Sequence, residues 1–186
     1  MIPRNLGGLA LGAVLLGACS SENAALPTEP GTTGRALEEA ASPIVASASG
    51  GVSMTLEVFG FTIPQVLGFQ ATKFADGEVR GHINYHQIFE GERFRFNATV
   101  TCMNVYDGNR VKFGGELFLS NDPTVPPGTF IWFHSIDKGE GAGASPDLST
   151  GSAFGTEAEN EAFCNSPALP NPIFLAEVDG NIRVSE

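Results

Sequence analysis

The sequence predicts an all-β fold: an antiparallel meander of eight or nine strands, closed as an up-and-down β-barrel, with a two-sheet β-sandwich as the alternative. Three observations predict it. From Val52 onward apolar residues recur at every second position, as Val52, Met54, Leu56 and Val58 do against Ser53, Thr55 and Glu57. That is the period of a half-buried strand. Asp76-Gly77, Glu90-Gly91, Asp107-Gly108 and Asp179-Gly180 stand between such runs, and glycine supplies the positive φ that hairpin turns need. The 186 residues include 23 Gly and 12 Pro, which points to many turns and short strands rather than long helices.

The first residues read differently. Arg4 gives a short positive region, and Leu6 to Ala18 is an apolar run, too short for the roughly 20 residues that cross a bilayer. It ends in Leu16-Gly17-Ala18-Cys19: an aliphatic residue, two small ones and a cysteine. This pattern resembles the lipobox of bacterial lipoproteins. The resemblance implies that residues 1–18 are a signal peptide and that Cys19 becomes the N-terminus. It further implies a diacylglyceryl thioether and an N-acyl chain such as palmitate on Cys19. Several chains anchor stably where one is marginal. By the same resemblance, Ser20, not being Asp, implies export to the outer membrane where the cell has one. Residues 19–50 are rich in Ala, Ser, Thr, Pro, Glu and Gly without alternation, so they read as a flexible tether. Gly50-Gly51 marks its boundary with one all-β domain over 51–186.

Charge narrows the partners. Lys and Arg number 10 against 21 Asp and Glu, a net charge of −11. Nucleic acid is excluded as a partner, because binding it needs a basic face to displace counterions. No polybasic patch follows Cys19, so the lipid alone must hold the protein to the membrane. Hydrophobic residues make up 42%, with 14 Phe, enough apolar material to offset the entropy of ordering one core.

After 52–58, strands are expected near 66–74, 78–89, 92–106, 110–120, 129–137, 147–154, 172–178 and 181–185. A two-residue Glu90-Gly91 turn puts Phe89 opposite Glu92, Tyr85 opposite Phe96 and Ile83 opposite Ala98. A two-residue Asp107-Gly108 turn puts Leu119 opposite Phe96, Leu117 opposite Ala98, Gly115 opposite Val100 and Phe113 opposite Cys102. Every partner is apolar or glycine, so one face is buried, and a one-residue slip would expose it all. At Asp76-Gly77 only a three-residue turn, Ala75-Asp76-Gly77, puts Leu67, Phe69 and Ala71 opposite Tyr85, Ile83 and Gly81. Gly77 is then left-handed in a bulge.

With Cys19 lipidated, Cys102 and Cys164 remain as an even pair in an oxidising compartment and are expected to form a disulfide. It would stabilise the fold by roughly 4 kcal/mol on the chain-entropy model and pin the irregular stretch 155–171 to the sheet. The register places Cys102 on the core face.

The outer face of the same strands is polar. Arg80, His82, Asn84 and His86 lie across from Thr101, Thr99, Asn97 and Arg95, and Glu116 joins the His82–Thr99 row. Arg80, His82, Asn84, His86, Arg95 and Asn97 form a candidate ligand face. Arg93, Arg110, Lys112 and Lys73 add positive charge that could attract an anion or acidic sugar; Phe118 is the one exposed aromatic there. His82 and His86 lie four residues apart, about 13 Å on a strand, too far to share one zinc. His134 beside Trp132 reads as a half-buried strand residue. Gly-x-Ser-x-Gly, His-Glu-x-x-His, phosphate-loop and dinucleotide motifs are missing. The glycine-rich loop 137–147 carries Asp137, Glu140 and Asp147. These are candidate ligands for calcium, which takes six to eight oxygens, although the spacing is not that of an EF-hand.

Cys102-Met103-Asn104-Val105, Gly108-Asn109-Arg110, Gly114-Gly115, Ile136-Asp137-Lys138-Gly139-Glu140-Gly141, Pro146-Asp147 and Phe163-Cys164 together resemble a pattern in uncharacterised secreted bacterial all-β proteins. The resemblance implies no activity; it implies one β domain and a Cys102–Cys164 bridge. The reading is therefore an exported, lipid-anchored β domain of the cell envelope, a non-enzymatic binding or surface module. The alternatives are a hydrolase of envelope or environmental polymers, marked by paired carboxylates in a pocket, and a lipocalin-like carrier of a small apolar ligand, marked by a hollow interior.

Overall fold

A computed structural model describes residues 42–141 and 143–186. The lipobox, Cys19 and the tether up to residue 41 lie outside the described residues. The strands are β1 Ile44–Val58, β2 Phe61–Phe74, β3 Val79–Phe89, β4 Glu92–Tyr106, β5 Arg110–Ser120, β6 Phe130–Ile136, β7 Leu148–Thr150, β8 Ala153–Gly155, β9 Leu175–Glu177 and β10 Asp179–Ser185, with one helix, α1, Glu157–Asn165. They form an antiparallel sheet in the order β10-β1-β2-β3-β4-β5-β6-β7-β9, with β8 also paired to β6. Only Val178 separates β9 from β10, which lie at opposite ends of that order. The chain thus joins the two edges, and the meander is a nearly closed barrel.

β1 starts at Ile44, so the stretch 44–50 expected in the tether belongs to the sheet. Gly50 and Gly51 are no boundary: they pair with Ile182 and Asn181 on one side and Phe69 and Gly68 on the other. Ala46 and Ala48 continue the inner-face alternation of Val52 and Met54, but Ser and Gly between them hide the strand signal. β2 likewise begins five residues before its expected start and runs through Pro64. That residue lies beyond the last β2–β3 pair, Gln65↔Gln87, where β2 has only β1 as a neighbour and a missing N–H is tolerated.

The turn arguments hold at two sites. Phe89 faces Glu92 across Glu90-Gly91, and Tyr85 faces Phe96. Leu67, Phe69 and Ala71 face Tyr85, Ile83 and Gly81, with Gly77 at φ +91° and its N–H donating to Phe74 O at 3.0 Å. At Asp107-Gly108 the turn has three residues, because Tyr106 faces Arg110. A bulge at Thr101 takes the extra residue back, so Val100↔Gly115 and Ala98↔Leu117 stand as expected, but Cys102 faces Gly114 and Phe113 faces Met103. A bulge lets two successive side chains share one side. Cys102 therefore leaves the core face expected for it, and Met103 takes that place. A second irregularity near Leu119 pairs it with Asn97 and exposes it. The strand expected over 147–154 is two short ones, β7 and β8. Asp179-Gly180 is not a turn but the start of β10, paired with Ser53 and Val52.

The interior is filled. Phe69 stacks on Phe113 with centroids 4.2 Å apart, Phe113 on Phe133 at 5.7 Å, and Tyr85 touches both Phe133 and Phe96. Close approach of strands requires Gly115, where a Cβ would collide with the Thr99 carbonyl oxygen.

Helix α1 lies within the stretch expected to be irregular. Thr156 caps it: its hydroxyl accepts from Glu159 N, and the Glu159 carboxylate accepts from Thr156 N. This reciprocal pair is a capping box, and Thr-x-x-Glu was legible at 156–159. Asn160 and Cys164, one turn apart, face the sheet and are buried. Cys164 is joined to Cys102 in a disulfide with Cα atoms 6.1 Å apart.

Candidate binding site

The six residues of the candidate ligand face share the outer surface but not one site. The pairs His82↔Thr99, Asn84↔Asn97 and His86↔Arg95 are as expected. Arg80 is held by Glu78, with its guanidinium over the Phe74 ring. That ion pair holds the Glu78 carboxyl below its ordinary range. His82 and Asn84 line a shallow polar groove of about 440 Å³, whose glycine floor, Gly51 and Gly68, leaves room beside Gln70 and Arg183. His86 lines a different groove of about 500 Å³ with Arg93, Glu177 and Asp179. Arg95 and Asn97 line neither.

Nor do the basic residues form one exposed field. Lys73 donates to Asn104 Oδ1, and Arg110 pairs with Asp107. Lys112 is buried under α1, with Nζ 4.7 Å from the Phe163 ring centroid. His134 is fully buried, not half-buried, on the same side of β5 and β6, and neither ring nitrogen has a hydrogen-bond partner among the described residues. Burial, then Lys112 and Arg110, push its pKa down to about 4. Burial, then Arg110, also lowers that of Lys112.

The three candidate calcium ligands are occupied otherwise. Asp147 is buried; its Oδ1 accepts from Lys138 N and its Oδ2 from Ile182 N, each at 2.7 Å, while its carbonyl accepts from Val178 N. Asp137 accepts from Gly139 N and Val184 N. Glu140 accepts from Asn181 and Arg183. Alternate N–H groups of β10 would otherwise face an open edge, a liability in any sheet; the carboxylates take the place of a missing strand. Among the described residues no three His, Cys, Asp or Glu side chains gather about one point. The described part of the acidic loop forms a seam against β10.

An apolar hollow of about 410 Å³ opens at the end of the barrel that carries the β1–β2 and β3–β4 turns. Leu56, Val58 and Ile63 form one wall, the segments 150–153 and 170–174 the other, and Trp132 and Phe163 close it. Gln65 and Gln87, cross-strand partners on β2 and β3, bring amides to it. Ser152 Oγ donates to Tyr85 Oη, which donates to Gln87 Oε1; burial raises the pKa of that phenol, so it stays protonated. Gln65 is 4% exposed, and its Oε1 has no partner among the described residues.

The sequence reading missed Gln65 and Gln87 as site residues. The signal was present: both occupy inner-face positions, in the rows of Leu67 and Tyr85, where a polar residue stands out. The opposite wall was invisible, because it is built from irregular chain.

The sequence matches no protein-family model, and no match to it is found among curated proteins or solved structures.

Proposed function

We propose that this protein is a non-enzymatic ligand-binding module of the bacterial cell envelope, anchored by lipid on Cys19 and presenting the domain from Ile44 onward. The observation that carries the binding role is the hollow beside Trp132: its volume and mostly apolar lining with a few convergent polar groups are those of small-molecule sites. The filled barrel centre argues against a deep lipocalin-like interior, so the ligand sits at one end only. The anchor rests on Leu16-Gly17-Ala18-Cys19.

Trp132 is the only tryptophan of the chain and lines the hollow, so it reports occupancy directly. Toluene titrated into the folded protein is expected to shift its emission and to raise Tm; unchanged emission at saturating toluene would remove the hollow as a binding site. Cys19→Ala is expected to move the protein from the membrane to the soluble fraction and to abolish the lipid mass increment. Unchanged membrane partition would refute the anchor.

The polymer hydrolase keeps one supporting feature, Glu177 and Asp179 in the 500 Å³ groove with His86. Both carboxylates lie on the exposed sheet surface with nothing to exclude water, which weakens an acid–base role.

A further inference from the structure

We infer that the barrel end carrying the β1–β2 and β3–β4 turns docks on a zwitterionic lipid surface, with the Phe59 side chain inserted among the headgroups. The turn chemistry carries this first. Among the described residues three that are not glycine have positive φ, each followed by a glycine: Phe59 at 52°, Glu90 at 51° and Asp107 at 57°. Such turns favour Asn, Asp or Gly at that position, and a bulky side chain is strained there. Glu90 and Asp107 at least keep a carboxylate in water. Phe59 is strained and also 86% exposed, so it serves neither its own turn nor the core. A bulky residue held in such a conformation points to a role outside the fold.

Phe59 has apolar company. Phe61 is exposed beside it, and its ring meets that of Phe89 with centroids 5.2 Å apart. Across the mouth of the hollow, the stretch that lines it with Pro170, Asn171 and Phe174 also carries the exposed Leu169 and Ile173. Apolar side chains gathered in this way mark an interaction site. Three features select a lipid surface as the occupant. The side chains project from separate segments around an opening, an outline that a fluid phase moulds to and a folded partner would have to match. The exposed Glu57, Glu90 and Glu92 outnumber Arg93 at the same turns; their carboxylates suit the ammonium of a zwitterionic headgroup and are repelled by an anionic one. The chain is also long enough: residues 20–43 reach at most about 80 Å, against roughly 50 Å for the fifteen-residue β1. A chain held by lipid on Cys19 can therefore lay the far end of its barrel on the same leaflet. A few inserted side chains bind marginally, as a single acyl chain does, so the docking complements the anchor, which supplies the effective concentration.

The inference rests on the proposed membrane location for the surface at hand, and an unlipidated chain lets the two fail separately. The test is flotation of the mature chain 19–186 carrying Cys19→Ser, made without residues 1–18, with excess phosphatidylcholine vesicles. The chain is expected to float with the lipid, and less so at low salt when half the lipid is phosphatidylglycerol. Phe59→Asn is expected to weaken binding about tenfold, the worth of withdrawing an aromatic side chain from an apolar phase. It should raise Tm at the same time, because Asn suits the left-handed backbone. Phe59→Trp should keep the binding. No flotation of the parent chain, undiminished flotation of Phe59→Asn, or tighter binding to the phosphatidylglycerol vesicles would each overturn the inference. A lower Tm for Phe59→Asn would assign the side chain to the fold and overturn it too. So would a lipid-free dimer that Phe59→Asn dissociates, which would give this end to a second copy. None of these outcomes bears on the lipid of Cys19, read from the mass and partition of the lipidated protein, or on the hollow, read with toluene.

Discussion

His134 has two buried ring nitrogens without partners among the described residues and two cations for neighbours, so its neutral form is the one the fold accepts. In the unfolded chain it takes a proton near pH 6.5; in the folded protein it waits until about 4. Between those values the unfolded state binds more protons, and stability falls as pH falls through that window, by about 3 kcal/mol at most. Urea unfolding at pH 7.5 and 5 should show the loss, and His134→Leu should flatten the curve between them. The exposed Asp76, Glu78, Glu140 and Glu159, whose pKa values are lowered mainly by hydrogen bonds, lose their contribution only below their ordinary carboxylate range, so the variant should retain the steeper fall at lower pH. Asp147 presents the opposite case, a buried carboxylate that exists to accept. Asp147→Ala leaves the N–H groups of Lys138 and Ile182 unanswered, and should cost about 2–4 kcal/mol. Calcium should leave the native melting temperature unchanged, because the carboxylate oxygens of Asp137 and Asp147 already accept from backbone N–H groups; a rise in Tm at 10 mM calcium that Asp147→Ala abolishes would reinstate the cation site.

At the scale of elements, α1 is held by its cap, by the disulfide and by polar contacts to β4: Asn104 Nδ2 and Tyr106 Oη donate to Cys164 O, and Asn160 Nδ2 donates to Thr101 Oγ1. The bridge spans 62 residues, so its loss should cost about 4 kcal/mol. Hydrogen exchange on Cys102→Ser/Cys164→Ser should show α1 opening first while the β2–β4 core stays protected. Uniform loss of protection across the sheet would mean that the helix is not a separate unit. Non-reducing mass analysis should find both cysteines in one linked peptide. How far each element was legible follows from the same physics. Strands bounded by Glu90-Gly91 or by Ala75-Asp76-Gly77 could be aligned residue by residue, because a wrong register puts Phe and Leu in water. The Thr101 bulge could not, since it restores the register on its far side and leaves the apolar pattern intact. Its only trace is Cys102, read as facing the core when it faces the helix. The Asp179-Gly180 pair was misread because its glycine answers a close approach to the Gly51 carbonyl, not a turn.

For the whole molecule, the decisive fact is how the barrel closes. Among the described residues β1 is the only strand paired with β10, through Ser47 to Ser53, and it also carries Ala46 and Ala48 into the core. On the other side of β10 the backbone N–H groups of Ile182 and Val184 meet the carboxylates of Asp147 and Asp137, and no strand among the described residues pairs there. The N-terminal half of β1, composed after Ile44 and Val45 of Ala, Ser and Gly and therefore read as tether, is thus the stave on which closure depends. A chain begun at Ser42 retains every pair of β1. A chain begun at Val52 loses the partners of Gly51 through Ser47, which leaves β10 only Val52 and Ser53, and it strips the β2 edge from Gly68 to Phe74. The expected outcome is a cooperative thermal transition for the chain begun at Ser42. For the chain begun at Val52 the expectation is a broad, low-temperature transition with aggregation, because β2 becomes a long edge with unpaired backbone groups. Near-UV circular dichroism checks it through the environments of buried Tyr85 and half-buried Trp132. Equal, sharp transitions for the two chains would show that the seam contacts of Asp147 and Asp137 close the barrel without the first half of β1.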